Sequence, residues 1–401
     1  MHKQSREASV MPERRTIGVL YGFRALMILI VCHYHIWQQS WLSQYFWLGS
    51  FRLDLDFLAR AGYMFVDGMI LMSGFLLYLP YAREKMEGPA VPPLKRYFQN
   101  RAARILPSYL FAITLALFFI AIPQSKYASS AAMTKDIVTH LTFTFTFWRD
   151  TCLHTPLNGA LWTVAVEVQF YLIFPLLARG VQKKPVITLG TMGLAGILYR
   201  LFVYTQAGDT ALYLNQMPSF LDVYALGMLG AILYEKALCF LEKNKDNDMG
   251  RIFSWVCAGV FALSLMGIAG LLRVQASASG HEAIRLSQLL LRLPFALIML
   301  WSMLSAALMP RFLQKILDNR LLRFFATISF NLYIWHQLLA VQIRLAFYND
   351  SLHSDPKQQV AYTLLCFGAA VLCAMTATYG IEQPCARRMQ ALFGRAGQKR
   401  A

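Results

Sequence analysis

The amino-acid sequence is dominated by apolar runs of about 20 residues, the length an α-helix needs to cross the hydrocarbon of a bilayer. Bounded by charge, Pro and Gly, they fall at approximately 17–37, 62–82, 105–123, 158–178, 186–205, 218–235, 252–272, 286–308, 324–347 and 360–381. Ten such runs leave too little polar surface for a water-soluble fold. Of 401 residues, 57% are hydrophobic and 15% charged, against about a quarter charged in soluble domains. The expected fold is an all-α, polytopic membrane helix bundle of about ten transmembrane helices with both termini cytoplasmic. Its expected parts are a basic tail (1–16), a membrane domain (17–385) and a second basic tail (386–401). The first run is too long for the h-region of a cleavable signal peptide, so it is expected to remain as the first span.

A net charge of +17 could suit nucleic acid, because clustered Lys and Arg neutralise phosphates. The distribution gives another cause. With cytoplasmic termini, the inner segments 1–16, 83–104, 179–185, 236–251, 309–323 and 382–401 hold about 26 of the 38 Lys and Arg, and the outer loops hold about 8. Each inner segment is richer per residue than its outer neighbours, so the excess reports orientation, and nucleic acid is excluded as a partner. Segment 136–149 is apolar but too short to cross and reads as an interfacial or re-entrant piece. No outer loop exceeds about 35 residues, too few for a soluble catalytic domain, so any chemistry must sit in the bundle. The cysteines at 32, 152, 239, 257, 366, 373 and 385 form no CxxC pair, and no metal site is expected. No internal repeat of the kind that relates the halves of many transporters is visible.

Ionisable side chains inside spans are costly and usually face a cavity or a partner. Those read here are Arg24, His33, His35, Asp67, Glu167, Arg200, Arg292, His336 and Arg344. Arg24 and His35 are separated by three helical turns plus about 20°, a rise near 16.5 Å, and share one face. His33 falls on the opposite face, where a histidine bonded to a neighbouring helix is the simpler reading. By rise per residue, Asp67 lies about 9 Å and Glu167 about 14 Å below the outer edge, and His336 rises about 18 Å from inside. Two imidazoles, His35 and His336, and two carboxylates, Asp67 and Glu167, are thus expected in one layer above Arg24. Histidine can move protons near neutral pH, and a carboxylate can orient it. On the inner side Arg101 and Arg104 are three residues apart and would share a helix face, which suits a phosphate-rich ligand or a simple positive-inside anchor.

At these residues the sequence resembles the acyltransferase type 3 family of bacterial membrane acyltransferases, over nearly its whole length. Gly22-Phe23-Arg24 with His35 resembles the family's Arg-x10-His first helix. Phe65-Val66-Asp67 through Ser73-Gly74-Phe75-Leu76 resembles its second-span signature, with Phe65 where glycine is common. Arg101-Ala-Ala-Arg104-Ile-Leu-Pro107 is similar to its Arg-x-x-Arg loop, and Leu161-Trp162-Thr163-Val164-Ala165-Val166-Glu167-Val168-Gln169-Phe170-Tyr171 to its Leu-Trp-Ser-Leu-Ser-x-Glu-Glu-Gln-Phe-Tyr motif. Ile328 to His336, with Glu382-Gln383-Pro384, resembles the last two spans. Ala165 replaces a common serine, and Val168 replaces the second glutamate, leaving Glu167 alone. Some members carry a fused esterase-like domain; this chain is expected to be a stand-alone form.

The resemblance implies a multi-pass protein of the bacterial cytoplasmic (inner) membrane. It would transfer an acyl group, most often acetyl, from cytoplasmic acyl-CoA to a hydroxyl of a carbohydrate, commonly an envelope glycan, that arrives from outside. Arg101 and Arg104 would hold the CoA nucleotide. Arg24 would stabilise the thioester oxyanion or a CoA phosphate. His35 would act as general base or carry the acyl group itself. Glu167 or Asp67 would orient His35, and His336 would be a second base or a hydrogen-bond partner of the acceptor. Two other readings compete: Glu167 paired with Arg200 or Arg292 as bundle glue, and a proton-coupled transporter or flippase for a lipid-linked or amphipathic molecule.

Overall fold

A computed structural model describes residues 17–86, 88–206, 210–244, 246–348 and 350–398; the basic tail read at 1–16 lies outside them. Ten helices among the described residues are long and apolar enough to span a membrane. They are α1 (Val19–Ser40), α2 (Gly62–Lys85), α3 (Leu94–Ala121), α4 (Gly159–Lys183), α5 (Pro185–Tyr204), α6 (Met217–Lys243), α7 (Asp248–Ser277), α8 (His281–Leu308), α9 (Arg320–Phe347) and α10 (Pro356–Leu392). Each coincides with one apolar run read from the sequence to within a few residues, and several are extended by polar turns. The protein is a multi-pass all-α membrane bundle. Its near end carries the start of α1, which packs against the short helix Arg311–Leu317. At the far end a small hairpin, β1 (Tyr45–Leu48) paired antiparallel with β2 (Phe51–Asp54), turns at Gly49, whose φ of 65° favours glycine.

Two boundaries differ from the sequence reading. Helix α3 starts at Leu94, so Arg101 and Arg104 lie well inside a helix and not just before one. The segment read as a tail from 386 is helical through Gln398. Both extensions are amphipathic, and apolar-run counting stops where charge begins. The stretch 136–149 folds as the end of the 12-residue helix Ser130–Leu141 and two short turns, none long enough to cross.

Helix α2 is the axis of the bundle: 78% of its central stretch is buried, against 22% for α5 and α7, whose leucines and valines are left for lipid. It crosses α6 at backbone contact because both helices offer glycine there. A Cβ on Gly227 would lie 2.1 Å from the Leu71 carbonyl oxygen, and one on Gly74 would lie 2.5 Å from that of Tyr224. We expect Gly227→Val to push the two helices apart, costing about 1–3 kcal/mol as overpacking does. The check is the thermal midpoint of the detergent-solubilised protein; an unchanged midpoint would show that the crossing can relax. Along another seam α1 lies against α9, with Cys32 Sγ 4.0 Å from the Leu332 carbonyl oxygen.

Candidate active site

Helices α1, α2, α3, α4, α6 and α9 enclose a cavity of about 140 Å³. Its polar lining is Arg24, Arg101, Arg104 and Glu167 with the hydroxyls of Ser73, Thr163, Tyr171, Tyr224, Ser329 and Tyr333; the rest is aliphatic or aromatic. Arg101 and Arg104 reach it together because residues three apart share a helix face, and Arg24 meets them from the first turns of α1. Among the described residues no carboxylate lies within ion-pair distance of these arginines. Glu167, the carboxylate in the lining, is engaged instead by the Tyr171 hydroxyl one turn along α4 and by Ser73 Oγ at 3.4 Å. The Arg101 Nε is buried with no hydrogen-bond partner. The Arg101 guanidinium lies 5.5 Å from the Tyr171 ring centre, and that of Arg104 lies 5.9 Å from the Phe330 ring centre. Three cations drawn into a low-dielectric pocket with Glu167 the one carboxylate in the lining, one of them with an orphaned donor, fit an anionic ligand with several acceptor oxygens.

Tyr333 is the lining residue farthest along α9. One turn farther along α9 is His336, its ring 5.4 Å from that of Tyr333 and 5.0 Å from that of His35 on α1. The two histidines are therefore brought together, as their computed depths required. They stand beyond the wall of the cavity that holds Arg24 and do not share its lining. Helix geometry settles the His336 tautomer. Its Nδ1 lies 2.7 Å from the Tyr333 carbonyl oxygen and 3.2 Å from that of Leu332, and carbonyl oxygens only accept, so Nδ1 carries the proton. The lone pair is on Nε2, fully buried and without a partner. His35 is half-buried, and its Nδ1 is 2.9 Å from Gln38 Oε1.

The remaining intramembrane charges do not converge on this pair. Asp67, expected in the His35 layer, turns Oδ1 to Arg292 Nε on α8 at 3.2 Å. Arg292, fully buried, also donates to the Leu214 carbonyl at 3.1 Å and lies over the Phe220 ring at 4.0 Å. Arg200 forms a two-pronged pair with Asp222 on α6 and donates to the Ser219 carbonyl at 3.0 Å. Both arginines are thus paired as glue, though with Asp67 and Asp222 and not with Glu167. His33 stacks on Phe367 at 6.0 Å, a packing role that suits its opposite face. Arg344 contacts Gln39 and His353 near the far end, each at 3.4 Å.

Several residues in or around the site were missed in the sequence. Asp222 was overlooked although it lies inside the run 218–235, where an acidic residue is a signal in itself. Tyr171 belongs to the quoted motif, and its position one helical turn after Glu167 could have marked it as that carboxylate's partner. Asn331 donates to Glu382 at 2.7 Å and to Thr378 Oγ1 at 2.9 Å, tying α9 to a π-helical turn (Thr378–Glu382) within α10 beside Phe330. Such turns are often functional, but no sequence pattern announces one. Among the described residues no group of three or more His, Cys, Asp or Glu side chains is placed to hold a metal ion.

The described helices thus surround an arginine-lined cavity with a histidine pair just beyond its lining. A family model for an acyltransferase domain matches residues 20–379, and the chain belongs to this type 3 acyltransferase family. It is 23% identical over 336 residues to a Staphylococcus aureus (strain COL) protein provisionally named an O-acetyltransferase, SACOL0978, covering 80% of this chain and 50% of that one. It is 23% identical over 269 residues to the O-acetyltransferase OatA of S. aureus (strain NCTC 8325), covering 64% and 39% respectively. The chain thus spans half or less of these curated relatives. No solved structure matches.

Proposed function

We propose that the protein is an O-acetyltransferase of the bacterial cytoplasmic membrane that moves an acetyl group from cytoplasmic acetyl-CoA to a hydroxyl of an envelope carbohydrate. The observation that carries this reading is the juxtaposition of three unpaired guanidiniums in one cavity with two imidazoles just beyond its wall. In this reading the arginine cavity opens toward the cytoplasm, an orientation that the Lys and Arg bias of the loops supports. The donor's phosphates rest on Arg101 and Arg104, with Arg24 nearer the thioester. Its acyl end passes Tyr333 toward His35, and the acceptor comes from the far end.

His35 Nε2 takes the proton of the acceptor hydroxyl as the oxygen bonds to the thioester carbonyl carbon, and His336 Nε2 offers a second acceptor that steadies the incoming hydroxyl. When the tetrahedral intermediate collapses, the carbon–sulfur bond breaks and the proton on His35 passes to the departing thiolate. The products are an acetyl ester and free CoA thiol, and His35 returns to its starting state. Glu167 supports the site from inside the cavity through Tyr171 and Ser73, limiting the net charge beside the three arginines.

Mass spectrometry of envelope glycans from cells with and without the gene is the direct test. Loss of an acetyl mass is expected on deletion, and an unchanged acetyl pattern together with no thiol release from acetyl-CoA by isolated membranes would end the proposal. Replacing both Arg101 and Arg104 by alanine is expected to raise the KM for acetyl-CoA by about 100-fold or more, since charge-assisted contacts are each worth about 1.5–3 kcal/mol. The KM for acceptor stays unchanged. A double variant that instead altered only the acceptor KM would move the donor site elsewhere.

A further inference from the structure

We infer that Gln38 is the positioning residue of His35, its side-chain oxygen holding the imidazole with the proton on Nδ1 and the lone pair on Nε2. This rests on the reading of His35 as the general base and goes beyond it by naming what sets the base's tautomer. Residues 34, 35 and 38 lie on one face of α1, since positions three and four apart are neighbours on a helix. His35 Nδ1 is 2.9 Å from Gln38 Oε1, and Gln38 Nε2 donates to the Tyr34 hydroxyl oxygen at 2.7 Å. An amide has one accepting and one donating end. With the donating end on Tyr34, the accepting end faces Nδ1, so that nitrogen carries the hydrogen.

Tyr34 is itself held. Its ring lies 5.0 Å from that of Tyr63 and 6.4 Å from that of Trp37. The Tyr63 hydroxyl accepts from Gln275 on α7, a residue only 2% exposed. Hydrogen bonds at either end, joined by the Tyr63–Tyr34 ring contact, therefore connect α7 through α2 to the imidazole. Both carboxylates expected to do this work are engaged elsewhere: Glu167 with Tyr171 and Ser73, and Asp67 with Arg292. The titratable groups around His35 are His336, 5.0 Å away from α9, and Tyr34 on its own helix at 4.8 Å; Arg60 reaches only the Trp37 ring, at 5.5 Å. The orienting partner is thus a neutral amide, where a serine-hydrolase triad uses a carboxylate. It fixes the tautomer without adding a charge that would retain the abstracted proton, and that proton must return to the thiolate.

The test measures thiol release from acetyl-CoA by membranes carrying the full chain with their endogenous acceptors, after subtracting membranes without it. Gln38 is exposed, so its variants are expected to fold. Gln38→Leu should lower kcat by about 10- to 100-fold, as loss of an orienting partner does elsewhere, with the KM for acetyl-CoA unchanged. Gln38→Glu keeps an acceptor for the Nδ1 hydrogen. It should restore most of kcat and move the acidic limb of the rate profile to higher pH, because a carboxylate favours the charged imidazole. A purely structural glutamine would give equal losses for Leu and Glu with no pH displacement, and that result, or a Gln38→Leu variant with the parent kcat, overturns the inference. His35→Ala separates the two failures. If it too keeps full activity, the base assignment itself falls; if it is inactive while Gln38→Leu is not, only the role of Gln38 falls.

Discussion

Membranes carrying His35→Ala are expected to transfer acetyl groups about 10²–10⁴-fold more slowly than the parent, the range that positioned general bases contribute. The loss is expected to fall on kcat, because His35 lies outside the cavity proposed to hold the donor's phosphates, while Arg24, Arg101 and Arg104 remain in place. Expression level and a monodisperse elution profile serve as controls for folding. His35→Gln, which retains a polar side chain without a titrating nitrogen, is expected to be equally slow. A parental rate in either variant with normal expression would remove His35 from the chemistry and leave His336, with its unpartnered Nε2, as the candidate base.

Arg292→Met is expected to cost about 3–5 kcal/mol of stability, the usual result of deleting one partner of a buried ion pair. Arg292 is fully buried and Asp67 is 1% exposed, so the carboxylate left behind would have neither water nor counter-charge. Asp67→Asn combined with Arg292→Met removes the stranded charge and should recover most of the loss. Recovery is incomplete because the Leu214 carbonyl still lacks its donor. Thermal inactivation of the solubilised protein reads both effects. A double variant that is as unstable as the single one would mean that the pair is not the source of the cost. The double variant is also expected to retain transfer; loss of activity in a well-folded sample would return Asp67 to the neighbourhood of the histidines.

The bundle was legible because crossing a bilayer fixes helix length, and ten runs of suitable length are hard to misread. Depth was legible for the same reason: the 1.5 Å rise put His35 and His336 in one layer, and their rings are 5.0 Å apart. What a linear count cannot supply is azimuth between helices. Asp67 was assigned the right segment yet the wrong neighbour, since which way α2 faces depends on its glycine-mediated crossing with α6. Gln38 was passed over because a glutamine near a helix end reads as interfacial solvation, and only the packing of α7 and α2 around Tyr34 gives it a task. Arg101 and Arg104, by contrast, owe their shared direction to one helix, and spacing alone was enough.

Tyr333 stands between the arginine cavity and the histidine pair, buried, with its ring against His336. A side chain there is placed to act as a bulkhead. With the donor seated as proposed, that ring would screen the activated ester from water entering at the far end, so the acyl group would not be wasted before a cargo hydroxyl takes its place.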